Sequence, residues 1–139
     1  MSVHTRSQRL AQAAYPRVAV RIPPGTDPKK FTQAQKEYRT FAKKFPALIH
    51  TCGLAQAVAF AEAKGASKDP SKPKPELQYL DDLAEVLKAA GHPTISNRAE
   101  LSKQSREHGL STYLRLSRDA LNAAGWLKRY VEAAAGEDE

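Results

Sequence analysis

Glycine and proline cut this chain into segments whose interiors suit helices and nothing else. The breaks are Pro23-Pro24-Gly25-Thr26-Asp27-Pro28, the stretch from Gly65 to Pro75 with three prolines, and Gly91-His92-Pro93. Between them alanine, lysine, glutamate, glutamine and leucine dominate, and no segment shows the strict apolar/polar alternation of a half-buried strand. The pattern predicts an all-α fold: a single-domain bundle of five to six helices over residues 1–139, with no sheet. At 139 residues the chain can bury a real core but is short for two ordinary domains.

Apolar spacing places the individual helices. From near Lys29, the residues Phe31, Ala34, Tyr38, Phe41, Ala42 and Phe45 form one stripe. Pro46 is expected to bend or restart that helix before Leu48-Ile49, and Gly53 to divide it from a second amphipathic helix carrying Leu54, Val58 and Ala61 and capped by Gly65. After a Pro-rich linker over 65–75, Leu77, Leu80, Leu83, Ala84 and Leu87 repeat at helical spacing. Glu76, Asp81 and Asp82 lie early in that helix, at the positive end of its dipole, and Asp81, Asp82 and Glu85 read as a solvated face. Ser96 or Asn97 can cap a short, mostly polar surface helix across Arg98–Glu107, with Glu100 three residues beyond Asn97 in the position a capping box uses. The last helix runs from near Ser111 to about Ala135, with Leu110, Leu114, Leu121, Ala124, Leu127 and Val131 on one side. Pro16 leaves residues 5–22 open between a kinked helix and a short helix with an extended arm. The acidic tail over 136–139 is expected to fray.

Charge is distributed unevenly. Residues 1–25 carry +4, residues 26–74 carry +6 and residues 75–139 carry −3, within a total of +7. Such a split suggests a basic surface facing a polyanion, with charge for solubility alone as the plainer alternative. Two helix faces gather the cations. Lys36, Arg39 and Lys43 fall at i, i+3 and i+7, with Lys44 beside them and Glu37 as the only nearby acid. Arg115, Arg118, Asn122 and Arg129 fall at i, i+3, i+7 and i+14, adjoined by Lys128, with Asp119 the one dissenting charge. Cations on a rigid face follow a sugar–phosphate backbone without reading bases. Phe31, Tyr38, Phe41, Phe45, Phe60 and Tyr113 fit apolar faces. Tyr15, Tyr79, Trp126 and Tyr130 remain possible surface aromatics without orderly spacing to the cations, so a backbone binder is favoured over a base reader.

An enzyme is disfavoured. His50-Thr51-Cys52 points in different directions on a helix and has no orienting carboxylate nearby, so Cys52 is expected to be a buried, inert thiol. Four histidines in four separate segments offer no metal-ligand spacing, no glycine-rich phosphate loop is present, and no cofactor is expected. A lone cysteine fits a reducing cytoplasm. No apolar run approaches the roughly 18 residues of a membrane span, and no secretory h-region opens the chain.

The run Tyr38-Arg39-Thr40-Phe41-Ala42-Lys43-Lys44-Phe45-Pro46-Ala47-Leu48-Ile49, then Cys52-Gly53-Leu54-Ala55-Gln56-Ala57-Val58-Ala59-Phe60 before Lys64, resembles the small helical subunit of the type III-B CRISPR effector, the Cmr complex. Tyr113-Leu114 and Trp126-Leu127-Lys128-Arg129-Tyr130 are similar to that family's closing helix. The likeness covers about residues 29–65 and 110–133. It implies a non-catalytic subunit, stacked in several copies beside other Cmr subunits, lining the groove where guide RNA and target RNA pair and serving antiviral defence. Lys36, Arg39, Lys43, Lys44, Lys128 and Arg129 match basic places in the family pattern, whereas Arg115 and Arg118 rest on spacing alone. The rival reading is a purely structural spacer whose charge is incidental.

Overall fold

The computed structural model describes residues 4–66 and 74–134. Among them are six α-helices, one 3-10 turn and no strand. Helix α1 (Arg6–Arg21) starts at a reciprocal capping box between Thr5 and Gln8. It passes through Pro16 without becoming an extended arm. A proline inside a helix forfeits a backbone bond, but Leu10, Ala14 and Val18 bury one stripe on both sides of it and hold the two halves to the same core.

A 3-10 turn over Pro28–Lys30, capped by Asp27, leads into α2 (Gln33–Cys52), whose own capping box joins Thr32 and Gln35. The helix does not restart at Pro46. Phe45 and Ile49 are buried on either side of it, so packing carries the helix through to Gly53. There the backbone adopts φ +86, a conformation L side chains avoid, and the chain turns into α3 (Leu54–Lys64). Gly53 offers no side-chain cap; instead the Ala55 N–H donates to Tyr113 Oη at 3.1 Å, from the last helix. Gly65 ends α3 with ordinary right-handed φ, and its lack of a side chain serves packing: a Cβ there would stand 2.8 Å from Leu77 Cγ.

Helix α4 (Pro75–Ala89) packs against α1, α2, α3, α5 and α6. Its supposed solvated face is only partly so: Asp81 and Glu85 are half-buried and Asp82 is 0% exposed. Tyr79, expected as a surface candidate, is also fully buried, meeting Tyr38, Phe41 and Phe45 with ring centroids 5.1 to 5.9 Å apart. Phe60, assigned to the core, is 44% exposed. Helix α5 (Arg98–Glu107) is capped by Asn97 alone, since Glu100 accepts from Gln104 instead, and it buries Leu101, Ser102 and Ser105 rather than lying wholly on the surface.

Helix α6 (Leu110–Ala134) spans the bundle and packs most extensively on α2 and α1. Its inner side holds Leu116, Ala120, Ala123, Ala124, Leu127 and Val131. Leu110 and Leu114, predicted to join that stripe, are 75% and 57% exposed, while Tyr113 between them packs against the core. Contacts from Arg6 to Asp119, Tyr15 to Tyr130 and the Gly25 N–H to the Ala134 carbonyl show α1 and α6 running in the same direction.

Candidate nucleic-acid interface

The fold treats the chain's cations in two ways. Three of the four on α1, Arg6, Arg17 and Arg21, are used internally. Arg17 reaches Asp82 at 2.7 Å and Arg21 reaches it at 3.0 Å, while Tyr38 Oη donates to the same carboxylate at 2.5 Å. Arg6 pairs with Asp119 at 2.7 Å, and the His92 imidazole meets the other Asp119 oxygen at the same distance. The positive N-terminal segment and the acidic C-terminal half thus bind one another. Much of the charge split read as a basic surface is a set of inter-helix bonds, and Asp119 is a buried partner rather than a stray charge on the α6 face.

Burial of Asp82 also sets the state of its neighbours. Burial first, and the Asp82 charge second, push the Tyr38 and Tyr79 phenols well above their ordinary range, so both keep their protons. Burial works to lower the Arg21 pKa, but its hydrogen bond to Asp82 and that carboxylate's charge outweigh burial, and the net direction is upward.

The cations of α2 and α6 face outward. Lys36 and Lys44 are exposed, Arg39 and Lys43 half-buried; Arg115, Arg118 and Arg129 are exposed, Lys128 half-buried. Among the described residues, no salt bridge engages Lys36, Lys43, Lys44, Arg115, Arg118, Lys128 or Arg129. Lys36, Arg39 and Lys43 share one side of α2. Lys44 turns away toward α3, its ammonium 5.6 Å from the Phe41 ring centre and 5.4 Å from that of Phe60.

Three grooves receive five of these side chains, Lys36, Lys44, Arg115, Arg118 and Arg129. In one, of about 230 Å³, Lys36 and Lys44 are joined by Lys64, and the carboxylates of Glu37 and Glu76 share the lining. Glu76 comes from α4 and escaped a reading in which Glu37 was the only nearby acid. Lys64 was visible only as the lysine closing the Ala-Phe motif. A second groove, of about 330 Å³, is lined by Ser111, Thr112, Leu114, Arg115 and Arg118. A third, of about 450 Å³, holds Arg129 with Asn122 and Trp126. Lys128 lies roughly 100° around the helix from Arg129 and so stands off their common ridge.

The aromatics are more ordered than their spacing suggested. Trp126 stacks on Tyr130 at 5.7 Å, Tyr130 meets Tyr15 edge-on at 5.3 Å, and the Arg129 guanidinium lies 5.9 Å from the indole centre. Helical i, i+3 and i+4 steps explain the α6 members, but only the parallel packing of α1 brings in Tyr15.

Cys52 is exposed at the end of α2, contrary to the buried thiol expected. Among the described residues no group of three or more His, Cys, Asp or Glu side chains is arranged to hold a metal ion, and no helix is long and apolar enough to cross a membrane.

An all-helical bundle with outward cations on two helices and an inward carboxylate lock defines a small class of helical proteins with basic ridges. The chain belongs to the CRISPR-associated protein family Cas_Cmr5, whose family model matches residues 6–134. It is 37% identical over 131 residues to the CRISPR system Cmr subunit Cmr5 of Thermus thermophilus, covering 94% of this chain and 96% of the relative. The X-ray crystal structure of a CRISPR-associated Cmr5 family protein from Thermus thermophilus superposes with a TM-score of 0.75 at 34% identity, covering 96% of this chain and all of the other.

Proposed function

We propose that this chain acts as one helical domain and as a non-catalytic subunit of a cytoplasmic Cmr complex in antiviral defence. It lines the groove where guide and target RNA pair, beside other subunits and stacked copies of itself. One observation carries the reading: Arg6, Arg17 and Arg21 of α1 are held by buried carboxylates, while Lys36, Lys43, Lys44, Arg115, Arg118, Lys128 and Arg129 stand without such partners among the described residues. A chain that needed positive charge only for internal bonding would not leave these seven unmatched. Phosphate contact through them adds affinity and position, and base pairing supplies sequence.

The spacer reading draws on a different feature, the exposed Leu110 and Leu114 at the start of α6. These side chains suit a protein neighbour, and the two roles are compatible on one helix. Photocrosslinking separates them. In a reconstituted complex loaded with target RNA containing 4-thiouridine, crosslinked peptides are expected from α2 and α6. A complex that assembles normally but gives no crosslink to this chain would leave the spacer role alone.

A further inference from the structure

Gly125 has no use inside this chain. It sits within α6, where glycine weakens a helix relative to alanine, and its backbone is not in the left-handed region that would require it. A Cβ added there would meet no atom within 4 Å. The open space is the groove of about 450 Å³ between the start of α1 and the outer ridge of α6, lined by Ser7, Leu121, Asn122, Gly125, Trp126 and Arg129. Missing side-chain bulk at such a point lets something from outside approach the helix backbone closely.

The rest of the lining says what that is. Trp126 is held by its stack on Tyr130, which is itself braced by Tyr15 from α1, so an aromatic wall is fixed before anything binds. Arg129 lies over the indole and belongs to the same ridge as Arg118, and among the described residues no carboxylate lines the groove. Asn122 adds an amide that both donates and accepts. An aromatic wall, a cation, an amide and bare backbone match an anionic ligand with a flat ring.

We propose that this groove is a single-nucleotide subsite. One unpaired base of single-stranded nucleic acid packs against Trp126 across the Gly125 backbone, with its phosphate on Arg129 and Asn122 hydrogen-bonding the sugar or base edge. The subsite rests on the RNA-lining role proposed above and gives it a specific contact. Stacking tolerates any base, so it adds affinity without adding sequence preference.

Trp126 is the sole tryptophan of the chain, so intrinsic fluorescence reports on this site directly. The full-length protein is titrated at low salt with a ten-nucleotide oligoadenylate and with an abasic ribose-phosphate oligomer of equal length, following both tryptophan emission and competition against a labelled strand. Oligoadenylate is expected to quench Trp126, and the abasic strand to bind without quenching. Gly125→Ala should melt about 4 °C higher, as a helix that gains alanine does, yet bind oligoadenylate roughly tenfold more weakly, the scale of one lost stack.

Unchanged oligoadenylate affinity in that more stable variant, or equal quenching by the abasic strand, overturns the subsite. Salt-dependent binding without quenching removes the subsite and leaves the RNA-lining role standing, whereas no binding at low salt removes both. If Gly125→Ala instead keeps its RNA affinity and fails to enter the assembled complex, the groove seats a protein partner and the nucleotide assignment is wrong.

Discussion

Asp82 carries more of this fold than any other polar residue. Two guanidiniums and one phenol converge on a carboxylate with no exposure, tying α1 and α2 to α4. Two tyrosines beside it behave differently. Tyr38 donates to Asp82, whereas Tyr79 Oη is buried with no hydrogen-bond partner among the described residues. Tyr38→Phe should therefore cost about 1.5–3 kcal/mol, the scale of a hydrogen bond to a charged group. Tyr79→Phe should be neutral or slightly stabilising, and urea unfolding measures both. Because the folded-state phenol pKa values are raised, their contribution is fully present below pH 10 and is lost as pH rises from there toward the folded values. The urea midpoint should thus fall above pH 10, and less steeply in Tyr79→Phe; a flat midpoint between pH 9 and 11 would contradict this. None of this lock was legible in the sequence. Glu76, Asp81 and Asp82 near a helix start have a sufficient local explanation in the dipole, and only the docking of α1 across α4 reveals the partners.

At the scale of elements the sequence was most legible where periodicity and caps agreed. The stripe Tyr38-Phe41-Phe45, the Asn97 cap and the extent of α6 all appear as read. The prolines left the helices open for one reason: the local penalty of a missing N–H decides between a kink and a break at Pro16, or a bend and a restart at Pro46, only once the buried residues flanking them are known. The N-terminus of α3 shows a second kind of illegibility. Its cap comes from Tyr113, 58 residues later than Ala55, a dependence no local pattern carries. Tyr113→Phe removes that acceptor and should destabilise the protein by about 1 kcal/mol. Hydrogen exchange should show faster exchange at the first turn of α3 than at the capped first turn of α2. Equal protection in the variant and the parent would argue that water replaces the hydroxyl without cost.

Over the whole molecule, charge has two separate duties that a sequence count merges. Three of the four arginines in residues 1–25, Arg6, Arg17 and Arg21, are structural, meeting buried acids of the C-terminal half, while further cations stand on the outer sides of α2 and α6. The candidate cations were legible because helical spacing puts them on faces without regard to tertiary detail. Their grouping into grooves, the entry of Lys64 and Glu76, and the aromatic brace from Tyr15 needed the packed bundle. The account stands on the outward set gripping phosphates, and salt dependence tests it most directly. Affinity of the assembled complex for single-stranded RNA is measured from 50 to 300 mM salt with the parent chain and with Arg115, Arg118 and Arg129 all replaced by alanine. Loss of three contacts should make the log–log slope shallower by about 2, with the variant's helical signal and melting temperature unchanged. A slope identical to the parent's would show that these cations touch no phosphate.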